Sequence, residues 1–344
     1  MKFFDTHCDT VIKVLDGSLD FQTGEGSGHL SLPGMLSAGS CAQVFACFVL
    51  SERHPEKERE TAEAMIRTIN EMAAKSEGKM EVVRTASELR VACDGGPIAA
   101  LIGLEGADPL EGHAENLHHF YELGVRDLIL AWQDNPFSGT AFGTNTPLSE
   151  EGRKLVELTE ELGVMVDVSH LSDSAFKDVC EITRRPFITS HSNCRAICPS
   201  KRNLTDAMIR TLADRGGVMG INLASGFLDP EIYQREMAYR RKFRSEGETP
   251  EATKRMREQI ATIPRPSIAW VAKHIRHAID IGGEDCIGLG GDLDGITSMP
   301  REIEGIADYD KIPDLLLAAG LRTRQVEKVC YQNFERVFCE VLRD

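Results

Sequence analysis

Eight short apolar runs recur along the sequence, separated by longer amphipathic segments. They are Phe3–Thr6, Ala42–Val49, Ile98–Leu104, Asp127–Ala131, Val164–Val168, Phe187–Thr189, Val218–Ile221 and Cys286–Leu289. Runs this short and this apolar read as strands buried on both faces, as in a parallel sheet covered by helices. The segments between them carry helix punctuation. Ser149–Leu162 opens on Ser, has Glu150 and Glu151 in its first turn and stops at Gly163, while Ala114–Glu122 stops at Gly124. Glu56–Lys75, Thr205–Ala213 after Asn203, and Pro266–Ile281 before Gly282-Gly283 also read as helices. Eight repeats of strand then helix predict a closed (β/α)8 barrel of the TIM type rather than an open sheet.

With no Ser/Pro/Gly linker and no internal repeat, residues 1–344 read as one domain. Only Asp229–Ile263 breaks the rhythm, a stretch dense in Arg and Glu. It reads as a solvated helical excursion, or, because it leaves the face where barrels place their chemistry, as a lid or subunit contact.

Charge narrows the partners. A formal net charge of −15 and a pI near 5.2, with no basic stripe, argue against nucleic acid. No run of about 18 apolar residues is present to span a bilayer, and the first residues lack a signal-peptide pattern. The 10 Cys are scattered through apolar runs, so reduced core thiols in a cytoplasmic protein are the expectation.

Polar residues with ligand chemistry stand where the apolar runs end. The first run leads into His7-Cys8-Asp9, the third into Glu105, the fifth into Asp167-Val168-Ser169-His170, the sixth into Ser190-His191, and the eighth into Asp292-Leu293-Asp294. Strand alternation turns His7 and Asp9 to one side and Cys8 to the other, into the core. In a barrel all these ends share one rim. Three His, one Glu and two Asp exceed the needs of one tetrahedral ion. They suit two divalent ions bridged by a carboxylate, with Glu105 as the natural bridge. Asp292 is ambiguous with Asp294, which could instead turn the loop. The glycines of residues 288–295 miss the G-x-G-x-x-G spacing of a phosphate loop, and Asp-x-Asp-Gly lacks the rest of a calcium loop. His274 and His277 read as surface or capping residues.

Taken in order, Asp5-Thr6-His7-Cys8-Asp9-Thr10, Gly103-Leu104-Glu105-Gly106-Ala107-Asp108, Asp167-Val168-Ser169-His170, Ser190-His191-Ser192-Asn193-Cys194-Arg195, Ser200-Lys201-Arg202-Asn203 and Gly290-Gly291-Asp292-Leu293-Asp294-Gly295 resemble the motifs of the membrane (renal) dipeptidase family of zinc peptidases, family M19. The resemblance spans nearly the whole chain. It implies that His7, Asp9 and Glu105 hold one ion and that Glu105, His170 and His191 hold the other, both expected to be zinc. By the same resemblance Asp292 handles the proton of the attacking water. Arg202 binds the substrate's terminal carboxylate, though it could simply pair with an acidic neighbour.

Trp132, after Gly124-Val125-Arg126, stands where better-known members carry a His, and either contacts substrate or packs the mouth. No Tyr counterpart follows the seventh run, where Asn222-Leu223-Ala224 stands. The activity implied is hydrolysis of dipeptides, including those with a D-residue at the C-terminal position, and the family habit is a homodimer. Deacylation of N-acyl amino acids, lactone hydrolysis, or idle metal binding are the alternatives.

Overall fold

The computed structural model describes residues 1–49, 56–245 and 249–344. Its strands are β1 (Phe3–Cys8), β2 (Ser40–Phe48), β3 (Met80–Val82), β4 (Ile98–Glu105), β5 (Val125–Ile129), β6 (Met165–Asp167), β7 (Ile188–Ser192), β8 (Val218–Ile221) and β9 (Ile287–Leu289). They are ordered β2-β1-β9-β8-β7-β6-β5-β4-β3, and a further β2–β4 pairing closes the ring. Every ladder is parallel. The eight predicted runs are the eight barrel strands, and closure leaves the barrel no free edge.

Missing from the sequence-based expectation is β3, which lies outside the ring. It pairs with Ile98, Ala99 and Ala100 at the start of β4, and β5 takes over that edge from Ile102 onward. The closing ladder runs from Ala42 opposite Ala99 to Phe48 opposite Glu105. That continuous register carries the Glu105 carboxylate to the rim.

Helix punctuation is realised where it was expected. Ser149 caps Glu150–Leu162 by accepting from the Gly152 N–H, and Gly163 ends that helix in the left-handed region. The helix Ala86–Cys93 was missed although Thr85 and Glu88 form a reciprocal capping box before it. Asp229–Ile263 contributes two helices, Pro230–Ser245 and Pro250–Ala261.

The two ends of the barrel differ in chemistry. At one end Phe4, Ala42, Val44, Ala99, Leu101, Met165, Ile188 and Val218 form a cluster with Phe334, Val337 and Phe338. Side chains from six strands around the ring can meet only in its interior, so the C-terminal helix Asn333–Val341 plugs this end. Phe4 stacks on Phe338 with ring centroids 5.4 Å apart. Toward the other end the buried side chains turn acidic: Asp5, Asp127 and Asp167 lead up to Asp9, Glu105 and Asp292. Among the described residues no helix is long and apolar enough to cross a membrane.

Candidate active site

His7 and Asp9 meet, but plain strand alternation does not bring them together. The register of β1 slips between Asp5 and Cys8, and Asp9 has left the strand for the position that precedes the helix Thr10–Leu15, without a side-chain capping bond. The turn sets Asp9 Oδ2 3.7 Å from His7 Nε2. Cys8 lies in the apolar core with no exposed surface, as expected. Behind the site Asp5 accepts from the His7 N–H at 2.9 Å, the Gly291 N–H at 2.8 Å and the Tyr309 hydroxyl at 2.5 Å, tying the ends of β1 and β9 to one carboxylate.

Glu105 is the centre of the cluster. Its Oε2 is 3.3 Å from His7 Nε2, and its Oε1 is 3.1 Å from His170 Nε2 and 3.7 Å from His191 Nε2. The carboxylate thus divides its two oxygens between two groups of donors. His170 and His191 turn their Nε2 atoms to within 2.8 Å of one another, while the Ser190 hydroxyl engages His191 Nδ1 at 2.8 Å. A partner on Nδ1 fixes the ring so that Nε2 is free to act as a ligand.

Electrostatics separate the three imidazoles. Burial, then Arg202, lowers the His170 pKa to about 3. Burial and the neighbouring cations take His191 well below the usual value. These two are neutral rings offering lone pairs. At His7 burial also disfavours charge, but Glu105 and Asp9 outweigh it and raise the pKa well above normal. The point between those carboxylates is therefore strongly cation-attracting.

Both ring nitrogens of His7 and Oδ1 of Asp9 are buried without a hydrogen-bond partner among the described residues. Leaving three such atoms unmet is costly unless a ligand satisfies them. Donor atoms of His7, Glu105 and His191 lie within 4.8 Å of one another, as do those of His7, Asp9 and Asp292. Nitrogen and carboxylate donors at this spacing fit divalent metal ions. His170 and Asp292 sit at φ 68° and 58°, a conformation uncommon for residues with side chains and found where a site dictates the backbone.

Asp292 is held by a residue that sequence reasoning set aside. Asn222, immediately after β8, donates from Nδ2 to Asp292 Oδ2 at 2.9 Å and is itself paired with Asn193. The signal was present: a polar residue at a strand end, dismissed because it was not Tyr. Burial, aided by Asp9 and Glu105 against the opposing pull of His7, pushes the Asp292 carboxyl up to about 7. Asp294 resolves the ambiguity by turning the loop, accepting from the Thr10 hydroxyl at 2.6 Å and the His29 N–H at 2.8 Å.

Arg202 is buried, with one Nη2 hydrogen bond to the His191 carbonyl at 3.0 Å and Nε unpartnered among the described residues. No carboxylate side chain lies within ion-pair distance of it among the described residues, so its fork is open for a ligand. Trp132 stands on the rim, 41% exposed, with its ring centroid 4.9 Å from Phe48 and 6.1 Å from His170. His170, Arg202, Asp292 and Trp132 all line one cavity of about 690 Å³. His274, expected at the surface, is instead fully buried, accepting from the Cys194 N–H and reaching the Leu228 carbonyl.

A parallel barrel whose C-terminal rim gathers three imidazoles around a shared carboxylate, under a substrate-sized cavity, is a metal-dependent hydrolase in architecture. The chain belongs to the membrane dipeptidase family, peptidase family M19, whose sequence profile matches residues 1–343. It is 30% identical over 252 residues to dipeptidase 3 of Mus musculus, covering 71% of this chain and 45% of that protein. The chain spans about half the length of the mammalian dipeptidases it matches. Among solved structures it is similar to a dipeptidase described as a metallopeptidase of family M19, at 27% identity and TM-score 0.85, covering 100% of this chain and 99% of that one. A metallopeptidase from Rhodobacter sphaeroides, liganded with a phosphinate mimic of L-Ala-D-Ala, gives 26% identity and TM-score 0.85 over 99% of each chain.

Proposed function

We propose that this chain hydrolyses the peptide bond of dipeptides, including those with a D-residue at the C-terminal position, using two zinc ions. The observation that carries the reading is the Glu105 carboxylate, with one oxygen toward His7 and the other toward His170 and His191. His7, Asp9 and Glu105 would hold one ion, and Glu105, His170 and His191 the other. Ions bound there supply acidified water and a polarised peptide carbonyl.

The protein's own groups do the rest. Arg202 orients the substrate by its free carboxylate through a planar, bidentate fork. Asn222 holds Asp292 by Oδ2, leaving Oδ1 to take the proton from the attacking water and return it to the leaving amine. Trp132 shields one flank of the mouth. Acceptance of a C-terminal D-residue draws support from the L-Ala-D-Ala mimic bound by the Rhodobacter relative.

The test is metal analysis by mass spectrometry together with a panel of L,L and L,D dipeptides on the same sample. Two zinc ions per chain and amino-acid release are expected. Release no faster than from a metal-stripped control would sink the reading.

A further inference from the structure

The charged insertion forms part of the pocket wall. Glu236, Met237 and Arg240 of the helix Pro230–Ser245, with Ile260 of the helix Pro250–Ala261, line the same cavity as His170 and Arg202. Glu236 is the unexpected member. Its carboxylate makes no hydrogen bond or ion pair among the described residues, and burial raises its pKa, with Arg240 opposing that shift only in part. Arg240, one turn on, is exposed and forms no ion pair with it.

The position of Glu236 depends on a glycine. A Cβ at Gly226 would fall 2.4 Å from Glu236 Oε2 and 2.7 Å from Oε1, so the carboxylate occupies space that only glycine leaves open. The next residue, Phe227, carries the Arg202 guanidinium 5.7 Å from its ring centroid. Glu236 therefore lies on the Arg202 side of the cavity. Phe142, whose ring is 6.3 Å from that of Phe227, and Met237 supply apolar lining of the same cavity. Of the other two acids of the lining, Asp134 is committed to Thr140 and Thr144, and Asp292 is held by Asn222. An unpartnered carboxylate in a cavity that it shares with aromatic and apolar side chains is a receptor for an alkyl ammonium or guanidinium.

We propose that Glu236 is a specificity-determining residue that selects dipeptides whose C-terminal residue bears a cationic side chain, such as lysine or ornithine. The proposal rests on the dipeptidase reading: with the α-carboxylate on Arg202, the adjoining side chain extends along Phe227 and Met237 and delivers its charge to Glu236. The insertion is thus a substrate-reading wall.

Norleucine is nearly isosteric with lysine but uncharged, so the pair isolates the charge. The holoenzyme's kcat/KM should favour L-Ala-Lys over L-Ala-norleucine by about tenfold or more, in whichever chirality is accepted. Glu236→Gln should bring that ratio near one, mainly through KM for the lysine peptide. Glu236→Lys should turn preference toward a C-terminal glutamate, a gain that a misfolded variant could not show. An unchanged ratio in Glu236→Gln, or a lysine preference confined to the N-terminal position, would overturn the proposal.

Calorimetric binding of phosphinate dipeptide mimics with lysine or norleucine side chains separates the two readings. A charge preference in binding without any peptide turnover would remove the dipeptidase function and leave this assignment. Turnover with no charge preference would do the reverse.

Discussion

At the residue scale the site is crowded enough that one methyl group can disable it. A Cβ on Gly295 would lie 2.1 Å from Asp9 Oδ2 and 2.3 Å from Asp292 Oδ1, so Gly295→Ala forces both carboxylates to move. The variant should lose metal, measured by mass spectrometry, and about 100-fold or more in kcat/KM, since small displacements of reacting groups have effects of that order. Asn222→Ala acts differently. It removes the donor to Asp292 without touching the proposed ligands, so metal content should hold while kcat falls roughly 10- to 100-fold. Equal loss of metal in both variants would place Asn222 among the groups that build the ion site.

Away from the rim, His274 is buried with its Nδ1 accepting from the Cys194 N–H at 3.0 Å, which requires the neutral ring. Burial lowers its pKa to about 4 against an unfolded value near 6.5. A depressed folded pKa means the contribution is complete above pH 6.5 and is lost as acid protonates the unfolded chain first, ending near pH 4. That window is worth roughly 3 kcal/mol. In urea titrations the stability gap between wild type and His274→Gln should therefore narrow between pH 7 and pH 4. A constant gap would show that the ring's charge state is not what the fold selects.

At the scale of elements, the barrel separates stability from chemistry. Phe338, packed on Phe4 and Phe334, belongs to the helix that plugs the end remote from the rim. Phe338→Ala should cost about 3–5 kcal/mol in chemical denaturation, with kcat and metal stoichiometry intact at temperatures where the variant stays folded. A changed metal content at those temperatures would show that the plug sets the geometry of the rim.

The same division explains what the amino-acid order makes legible. Barrel strands are apolar on both faces and their ends share a rim, so His7, Glu105, His170, His191 and Asp292 could be placed together without coordinates. Met80–Val82 was not legible, because Met-Glu-Val has no distinguishing pattern and pairs only by lying beside the start of β4. The meeting of His7 with Asp9 was foreseen for an incomplete reason, since a register slip and a helix turn, neither visible in local composition, bring it about. Glu236 was hidden as one acid in a charged stretch. Only the fold shows that its helix turns that face to the cavity.

For the whole molecule, the determining fact is a polar half-core of carboxylates. Asp5, Asp9, Glu105, Asp127, Asp167 and Asp292 are all buried in or beneath the rim. Burial raises the pKa of Asp5, Asp127 and Asp167, and takes Asp9 to about 6. So many acids in low dielectric repel one another unless cations or protons intervene. Divalent ions at the proposed ligands would relieve that repulsion in the folded chain alone, and so should stabilise it by mass action. At about 100 times its dissociation constant, one ion adds roughly 2.7 kcal/mol. For a chain of this size that is a rise in Tm of about 4 °C per ion.

Calorimetry of the chelated protein, followed by readdition of zinc, should show this rise, and Glu105→Gln should abolish most of it because both proposed ions share that carboxylate. A Tm indifferent to chelation, with Glu105→Gln no less responsive than wild type, would mean that protons alone quiet the acidic half of the core.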